Sequence, residues 1–140
     1  MKIEQAKQDH RILALWAADC AERVLPYFEQ KYPQDDRPRK SIEAGRAWVR
    51  GEIKISQART AALAAHAAAR QAADSAAIAA ARSAGHAAAT PHVPDHARHA
   101  ANYAVKAVTA GSTDTAAIAT ELDWQYRRIP GHLRSVAFRA

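Results

Sequence analysis

Residues 56–90 carry the sequence SQARTAALAAHAAARQAADSAAIAAARSAGHAAAT, in which most side chains are single methyl groups. The larger side chains of its first half are not scattered, because Arg59, Leu63, His66 and Arg70 follow one another at i, i+4, i+7 and i+11. On an α-helix this spacing aligns them within roughly 60° of arc. A second stripe of the same kind consists of Ile78, Arg82, Gly85 and His86. The pattern indicates helices that present one narrow functional stripe and a wide methyl surface.

Alanine is the best helix former, and its small side chain lets neighbouring helix backbones approach closely. We therefore expect a tightly packed helical core. The pair Asp74–Ser75 can break the run into two helices, about 56–73 and 75–89, that form an antiparallel hairpin. A single helix of more than about 30 residues would be unusual in a domain of this size.

The flanking segments also predict helices. Asp9 can cap a first helix beginning at His10. Its apolar face would consist of Leu13, Trp16, Ala17, Cys20 and Val24. Pro26 should kink or restart this helix, because proline lacks the amide hydrogen, and a short second helix would then span residues 26–32. Asp35 or Asp36 can cap a further helix that starts near Arg37–Pro38.

The buried face of that helix is traced by Ile42, Gly45, Val49 and Ile53, and Ser56 would cap the alanine-rich helix after it. Beyond Thr90 we expect a helix that begins near His92 and ends at Gly111. Ser112, Thr113 or Asp114 then caps a helix to about Ile129, with Ile118, Leu122 and Tyr126 on one side and Trp124 nearby. A turn at Pro130–Gly131 leads to a terminal helix.

The fold class is thus all-α, a compact array or bundle of about six to seven helices with alanine-rich central helices. Alanine makes up about a quarter of the 140 residues, and aromatic residues only 6%, which disfavours a sheet. We find no linker and expect a single domain over residues 1–140, with its core at about 9–138.

Charge and cysteine content narrow the function classes. The net charge of +6 favours anionic partners, but only a mild cluster of basic residues exists, namely Arg127, Arg128, Arg134 and Arg139. Because no aromatic-plus-basic strip accompanies it, nucleic acid is disfavoured as a partner. Cys20 is expected to be a buried, inert thiol. The polar N-terminus and the lack of an apolar stretch of about 18 residues favour a soluble cytoplasmic protein with no membrane partner.

Histidines are the most conspicuous chemical feature. His92, His96 and His99 lie at i, i+4 and i+7, so a regular helix would align them, and aligned imidazoles can bind a transition metal. No HExxH motif is present and Pro94 interrupts the spacing, so we predict neither a native metal site nor a cofactor.

Two interpretations of the stripes remain open. In one, His66, His86, His92 and His96 line a polar groove, and the neighbouring arginines favour an anionic ligand or carboxylates. In the other, each stripe is the solvated side of an alanine helix. The loop residues Asp35, Asp36 and Arg37 likewise either cap a helix or form a polar cluster that fixes the loop or touches a partner. Glycine-rich phosphate loops and nucleophile motifs are absent from the sequence, so no enzymatic activity is predicted.

Four stretches resemble a small all-α family known as "putative immunity proteins", which is linked with bacterial polymorphic-toxin loci. They are LWAADCAERVLPYFEQKYPQDDRPRKSIEAGRAWVRGEI, AAHAAARQAA, AARSAGHAAATPHVPDHA and ELDWQYRRIPGHLR, in that order, and they cover roughly residues 9–135. The segments DDRPRK and GHAAATPHVPDHA are the most specific.

The resemblance implies an all-α domain that protects a cell from a cognate toxin by protein–protein binding. From the family pattern, Asp35, Asp36 and Arg37 carry over from the loop, and His66, His86, His92 and His96 from the histidine motif. We take this binding function as the first hypothesis. The alternative is a helical module that binds a small molecule or metal ion in a histidine-lined groove.

Overall fold

The computed structural model describes residues 2–138, which form seven α-helices and one 3₁₀-helix. In chain order these are α1 (Lys2–Glu29), α2 (Arg37–Val49), α3 (Ile55–Gln71), α4 (Ser75–Ala89), α5 (His96–Gly111), α6 (Thr115–Arg128), the 3₁₀-helix Gly131–Leu133 and α7 (Arg134–Ala137). Within residues 2–138 there is no strand, and the predicted all-α helical array is confirmed. Arg139, which the sequence assigned to the basic cluster, lies outside the described residues. Among the described helices, none combines the length and apolarity needed to cross a lipid bilayer.

Helix α4 lies at the centre of the array and packs against α1, α2, α3 and α5. Ten of its fifteen residues are buried, and all ten are alanine, serine or glycine. An element with neighbours on four sides has only a narrow outward face for large side chains, and small side chains let the four neighbours approach its backbone closely. The alanine content of the sequence therefore reflects the position of this helix in the core.

Two serine hydroxyls join helices through this tightly packed core. Ser83 on α4 donates to the carbonyl oxygen of Ala100 on α5, and Ser41 on α2 donates to the carbonyl oxygen of Ala84, each at 2.7 Å. Both serines are fully buried. Buried hydroxyl groups need such partners, because an unsatisfied one costs a large part of its desolvation energy.

The predicted hairpin between the alanine-rich helices is confirmed. Helix α3 ends at Gln71 and α4 begins at Ser75. The carboxylate of Asp74 accepts a hydrogen bond from the amide of Ala77 at 3.0 Å and thereby caps α4. At the start of α3 the predicted cap is wrong by two residues, because the helix begins at Ile55 and its N-cap is Lys54, not Ser56.

The predicted break at Pro26 is wrong. Helix α1 starts at Lys2, eight residues before the predicted start, and continues without interruption to Glu29. Pro26 is exposed in the last turn, where only one backbone hydrogen bond is lost and the ring points away from the packed core. Asp9 is not a cap; its carboxylate accepts from the side chain of Gln5 and contacts the imidazole of His132. The predicted apolar face, by contrast, is buried throughout, including Cys20.

The predicted start of α5 near His92 is also wrong, because the helix begins at His96. Residues 90–95 instead form a turn around Pro91 and Pro94. Proline disfavours the helical conformation in the residue before it, so two prolines three residues apart delay the helix. The predicted alignment of His92 with His96 and His99 on one helix therefore does not occur.

Of the apolar residues predicted on one side of α6, Ile118 is partly buried against the core, whereas Leu122 and Tyr126 face outward. Leu122 is 45% exposed and Tyr126 is 51% exposed, whereas Glu121 and Gln125 are buried. The side chain of Gln125 donates to the carbonyl oxygen of Ala101, and the backbone oxygen of Gln125 accepts from the indole of Trp16. Helix α6 is thus attached to the core through these polar contacts together with the packing of Ala117, Ile118 and Trp124. On α2, Ile42 and Gly45 are buried as expected and Val49 is partly buried; Ile53 lies beyond the end of this helix and is also partly buried.

The packing around α4 predicts that enlarging a buried alanine destabilises the fold. Ala80 is fully buried in this helix. Ala80→Leu should lower the free energy of unfolding by about 1–3 kcal/mol, because a larger side chain must push helices apart. The control, Ala119→Leu, places the same side chain at an exposed position of α6 and should change stability little. Urea denaturation measures both, and equal midpoints for the two variants would contradict tight packing around α4.

Candidate functional site

The loop before α2 is held by its own charged side chains. The carboxylate of Asp35 accepts hydrogen bonds from the backbone amide of Arg37 at 3.1 Å and from the guanidinium of Arg37 at 2.6 and 2.9 Å. The same guanidinium donates to the side chain of Gln71 at the end of α3 at 2.7 Å. These hydrogen bonds from Arg37 lower the pKa of Asp35. The loop is therefore tied to α3.

Asp36 occupies the N-cap position of α2 but makes no capping hydrogen bond with its side chain. Its carboxylate is exposed and pairs with Lys40 at 3.1 Å. Of the two acidic residues, Asp35 satisfies the backbone at the start of α2. Residues 31–37 line an open groove of about 610 Å³ beside this loop.

Three helices bring four histidines together. His66 lies on α3, His86 on α4, and His96 and His99 on the first turn of α5. The ring of His86 is central: its centroid lies 5.0 Å from that of His66, 5.1 Å from that of His96 and 5.2 Å from that of His99. The ring of Tyr103 stacks against His86 at 5.3 Å. We call the three rings of His66, His86 and His96 the histidine cluster.

Hydrogen bonds decide the protonation of these rings. The Nδ1 atoms of His86 and His96 lie 2.8 Å apart, so one must carry a proton and the other must accept it. The Nδ1 atom of His66 lies 2.9 Å from a terminal nitrogen of the Arg82 guanidinium. Because arginine can only donate, His66 accepts at Nδ1 and carries its proton at Nε2. All three rings are consistent with the neutral state.

Electrostatics favour the same state. Partial burial lowers the pKa of His66 from 6.5 to about 4, with Arg82 and the other nearby positive groups as the further cause. For His86, burial is again the main cause, and the neighbouring histidines contribute, so that its pKa falls to about 3. Burial also lowers the pKa of His96. Protonating any one of the three rings would place a positive charge close to other groups that carry or can take up a positive charge, at a position that water solvates poorly.

Gly85 creates the space that this arrangement needs. A Cβ atom at Gly85 would lie 2.6 Å from both Cε1 and Nε2 of His66. Non-bonded carbon atoms approach no closer than about 3.5 Å without repulsion. A glycine on α4 therefore permits the imidazole on α3 to lie flat against the helix backbone.

A groove of about 190 Å³ opens beside the histidine cluster. It is lined by Arg59, Ala62, Leu63, His66, Ala89, His92 and His96. His92 reaches this groove from the turn before α5 and is exposed. The structure thus brings His66, His92 and His96 to one groove, with His86 behind them. The loop residues Asp35, Asp36 and Arg37 form a separate cluster, linked to this one through α3.

The geometry of the cluster does not match a metal site. Nowhere in residues 2–138 do three or more histidine, cysteine or acidic side chains converge in an arrangement suited to a metal ion. Two imidazole nitrogens bound to the same tetrahedral zinc ion would lie about 3.3 Å apart with both lone pairs aimed at the metal. At 2.8 Å, the Nδ1 atoms of His86 and His96 instead share a proton.

The sequence did not predict a further site, a basic one, which lies around Trp124 on α6. The guanidinium of Arg23 lies 4.3 Å from the centroid of the Trp124 ring, and that of Arg128 lies 5.8 Å from it. An open groove of about 550 Å³ adjoins them. The spacing of Trp124 to Arg127 and Arg128 at i+3 and i+4 indicates the part of this site that α6 forms. Arg23 comes from α1, so no spacing within α6 indicates it. Each arginine has a carboxylate partner here: Glu121 for Arg23, Asp123 for Arg127 and Asp19 for Arg128.

Comparison with known proteins gave one family. A family described as Imm-5 like putative immunity protein matches residues 4–132. Neither the curated proteins nor the solved structures yielded a significant match. The matched range contains the loop cluster, all three rings of the histidine cluster and the groove beside them.

The lowered histidine pKa values predict that acid destabilises the protein. Below about pH 6.5 the unfolded chain takes up protons that the folded protein cannot, so stability present above that pH is lost progressively toward pH 4. The carboxylates of Asp35 and Glu52 also have lowered pKa values in the folded protein. Because their ordinary pKa values are 3.8 and 4.5, they change the stability only at lower pH. The free energy of unfolding, measured by urea denaturation, should fall between about pH 7 and pH 5.

His86→Gln tests the origin of this slope, because it removes one of the rings that stay neutral. The variant should show a shallower dependence of stability on pH. The matched control is His92→Gln, which removes an exposed imidazole from the same groove. If both variants keep the full slope of the wild type, the histidine cluster is not its cause.

Gly85→Ala should displace the ring of His66. The new methyl group excludes the imidazole from its position, so the ring moves toward solvent and its bond with Arg82 is lost. We expect the pKa of His66 to rise from about 4 toward 6.5, as followed by an NMR titration of the imidazole protons. The usual gain of about 1 kcal/mol for alanine over glycine in a helix should not appear. An unchanged pKa together with the full gain would contradict the described packing.

Proposed function

The chain belongs to the family of Imm-5 like putative immunity proteins, and from this premise we propose that it neutralises a cognate bacterial toxin by forming a protein–protein complex. The family match over residues 4–132 is the observation that carries the proposal. A protein of this kind would act in the cytoplasm of the cell that it protects, and it would act by binding without a chemical step.

The groove beside the histidine cluster supports a binding role. Its rings are held by hydrogen bonds and packed against α4, so the surface is organised before a partner arrives. Preorganisation raises affinity, because less conformational entropy is lost on binding. We propose that His66, His92 and His96 contact the toxin and that His86 supports them from behind.

The loop cluster would form a second part of the contact surface. Asp36 is exposed, whereas Asp35 and Arg37 hold the loop against α3. We assign to Asp36 a direct contact and to Asp35 and Arg37 the positioning of the loop. Both parts of the surface lie along α3.

The distribution of acidic residues argues against a nuclease as the toxin. An inhibitor of a nuclease profits from an acidic face that complements the basic substrate site. The candidates for such a face are Glu22, Glu29, Asp35 and Asp36. Each of them forms an ion pair with an arginine or lysine, namely Arg46, Arg39, Arg37 and Lys40 respectively. A toxin with a different target fits the charge of this chain better.

The histidine-lined groove also suggests a small-molecule binding module as a second candidate. Pockets for drug-sized ligands have volumes of roughly 300–1,000 Å³. At about 190 Å³, the groove is the size of one or two protein side chains. Its volume therefore favours the insertion of a side chain from a protein partner over a small-molecule ligand.

Titratable pairs do not suggest an active site in this groove. Two histidine–aspartate contacts of the described residues, His132 with Asp9 at 2.9 Å and His99 with Asp95 at 3.7 Å, lie outside the residues that line the groove. The charge of Asp95 also acts on His96, which lines the groove, but burial outweighs it and the pKa of His96 is lowered. A general acid or base would need to lie within reach of a bound substrate.

We predict that the protein forms a stoichiometric complex with the product of a neighbouring gene and abolishes its toxicity. Cells that express that product alone should stop growing, and co-expression of this protein should restore growth. Gel filtration with light scattering then measures the complex of the purified pair. His66→Ala plus His92→Ala should weaken complex formation, whereas Ala119→Leu on α6 should not. If no neighbouring product either binds or is neutralised, the proposal is wrong.

A further inference from the structure

Acidic side chains are distributed unevenly along the chain, with nine in residues 1–54 and two in residues 55–111. From α3 to α5, residues 55–111 contain five arginine or lysine side chains and two carboxylates, Asp74 and Asp95. Asp74 caps α4, and Asp95 forms an ion pair with Arg98 and lies 3.7 Å from Nε2 of His99. On α1 and α2, by contrast, arginines and carboxylates pair repeatedly, as in Arg39 with Glu29 and Arg46 with Asp19. The exposed side of α3–α5 is therefore net positive.

Three arginines of this side surround His66. Arg59 lines the same groove as His66, and Arg70 lies one turn after it on α3. Arg82 approaches from α4 and donates one N–H group to Nδ1 of His66. A guanidinium has five N–H donors in a rigid fork, so this bond orients Arg82 and leaves donors for a ligand. Arg59 and Arg70 are separated by about 16 Å along α3, the length of a short peptide segment.

Leu63 lies between these arginines and is 69% exposed. It also lines the groove beside the histidine cluster. An exposed leucine with arginines around it is typical of protein–protein interfaces, which combine an apolar centre with a polar rim enriched in arginine. Phosphate backbones would gain nothing from this leucine, and the groove contains no tryptophan, tyrosine or phenylalanine on which a base could stack.

We propose that the surface formed by Arg59, Leu63, Arg70 and Arg82 around His66 binds an acidic segment of a protein partner, with carboxylates on the arginines and an apolar side chain at Leu63. The inference rests on the proposed function, because it describes the part of the toxin that this protein recognises. We call this surface the α3 arginine surface. A neutral His66 suits this role, since it accepts a hydrogen bond from Arg82 and carries no positive charge that would compete with the arginines for the carboxylates.

A peptide probe tests the proposal without knowledge of the toxin. The probe is a short peptide with a repeating Glu-Glu-Leu sequence, and the comparison ligand is a single-stranded DNA oligonucleotide of equal charge. We expect the peptide to bind at low ionic strength and to shift the NMR signals of Leu63 and His66. Added salt should weaken this binding, because exposed charges are screened. Stronger binding of the oligonucleotide, or the absence of peptide binding, would overturn the proposal.

Charge reversal locates the binding. Arg59→Glu plus Arg70→Glu should weaken the affinity for the peptide by about tenfold or more, since attraction is replaced by repulsion. Both side chains are exposed, so the melting temperature should not change. The matched control is Arg127→Glu plus Arg128→Glu, which makes the same change in net charge in the groove around Trp124. Equal effects of the two double variants would show that the peptide responds only to net charge, and the proposal would be wrong.

Leu63→Ser separates the apolar contact from the charges. It should weaken the binding of the Glu-Glu-Leu peptide while leaving that of a peptide made of glutamate alone unchanged.

The same variants are then measured against the neighbouring-gene product. If that complex forms and the reversal at Arg59 and Arg70 leaves its affinity unchanged, the α3 arginine surface is not the contact site, although the proposed function stands. If no such complex forms, the proposed function fails and the peptide binding still decides the inference.

Discussion

The close approach of helix backbones around α4 is the constraint on which the rest of the structure depends. A helix that packs against four others needs small side chains on each packed face, and the buried residues of α4 are alanine, serine and glycine. This packing also determines where large polar side chains lie at the surface. Because the buried positions are filled with methyl groups, the few large polar side chains of α3 and α4 are confined to one side, where His66, Arg82 and His86 meet.

The histidine cluster shows how a polar group can be packed against such a core. A half-buried imidazole is costly when charged, and the cluster avoids that cost by keeping its rings neutral and joined by hydrogen bonds. The bond between His66 and Arg82 serves two purposes at once. It satisfies the imidazole, and it holds a guanidinium in place at the edge of a groove. Rigid polar surfaces of this kind suit recognition, because their geometry is set before binding.

Charge is divided between the helices in a way that bears on function. Helices α1 and α2 use their carboxylates internally, in pairs such as Arg46 with Asp19 and Arg39 with Glu29. The groove around Trp124 is likewise neutralised by its own acidic residues. Residues 55–111, from α3 to α5, have a net positive charge, with five arginine or lysine side chains and two carboxylates. On this distribution we base the proposal that the partner of this member of the Imm-5 like putative immunity protein family is acidic and not basic.

The sequence by itself determined the helical class, the alanine hairpin with its break at Asp74–Ser75, and the buried face of α1, because these follow from local propensity and from the 3.6-residue period. It misplaced the break at Pro26 and the start of α5, where tertiary packing and the conformational limits of proline compete with local signals. It offered His66, His86, His92 and His96 as the lining of one groove, but it left open whether their stripes converge. Only the tertiary structure decided that they meet, because the contact of α3 with α4 and α5 brings Gly85 beneath His66 and Nδ1 of His96 within 2.8 Å of Nδ1 of His86. Such contacts join residues on different helices, and no periodicity within a single helix encodes the angle at which two helices cross.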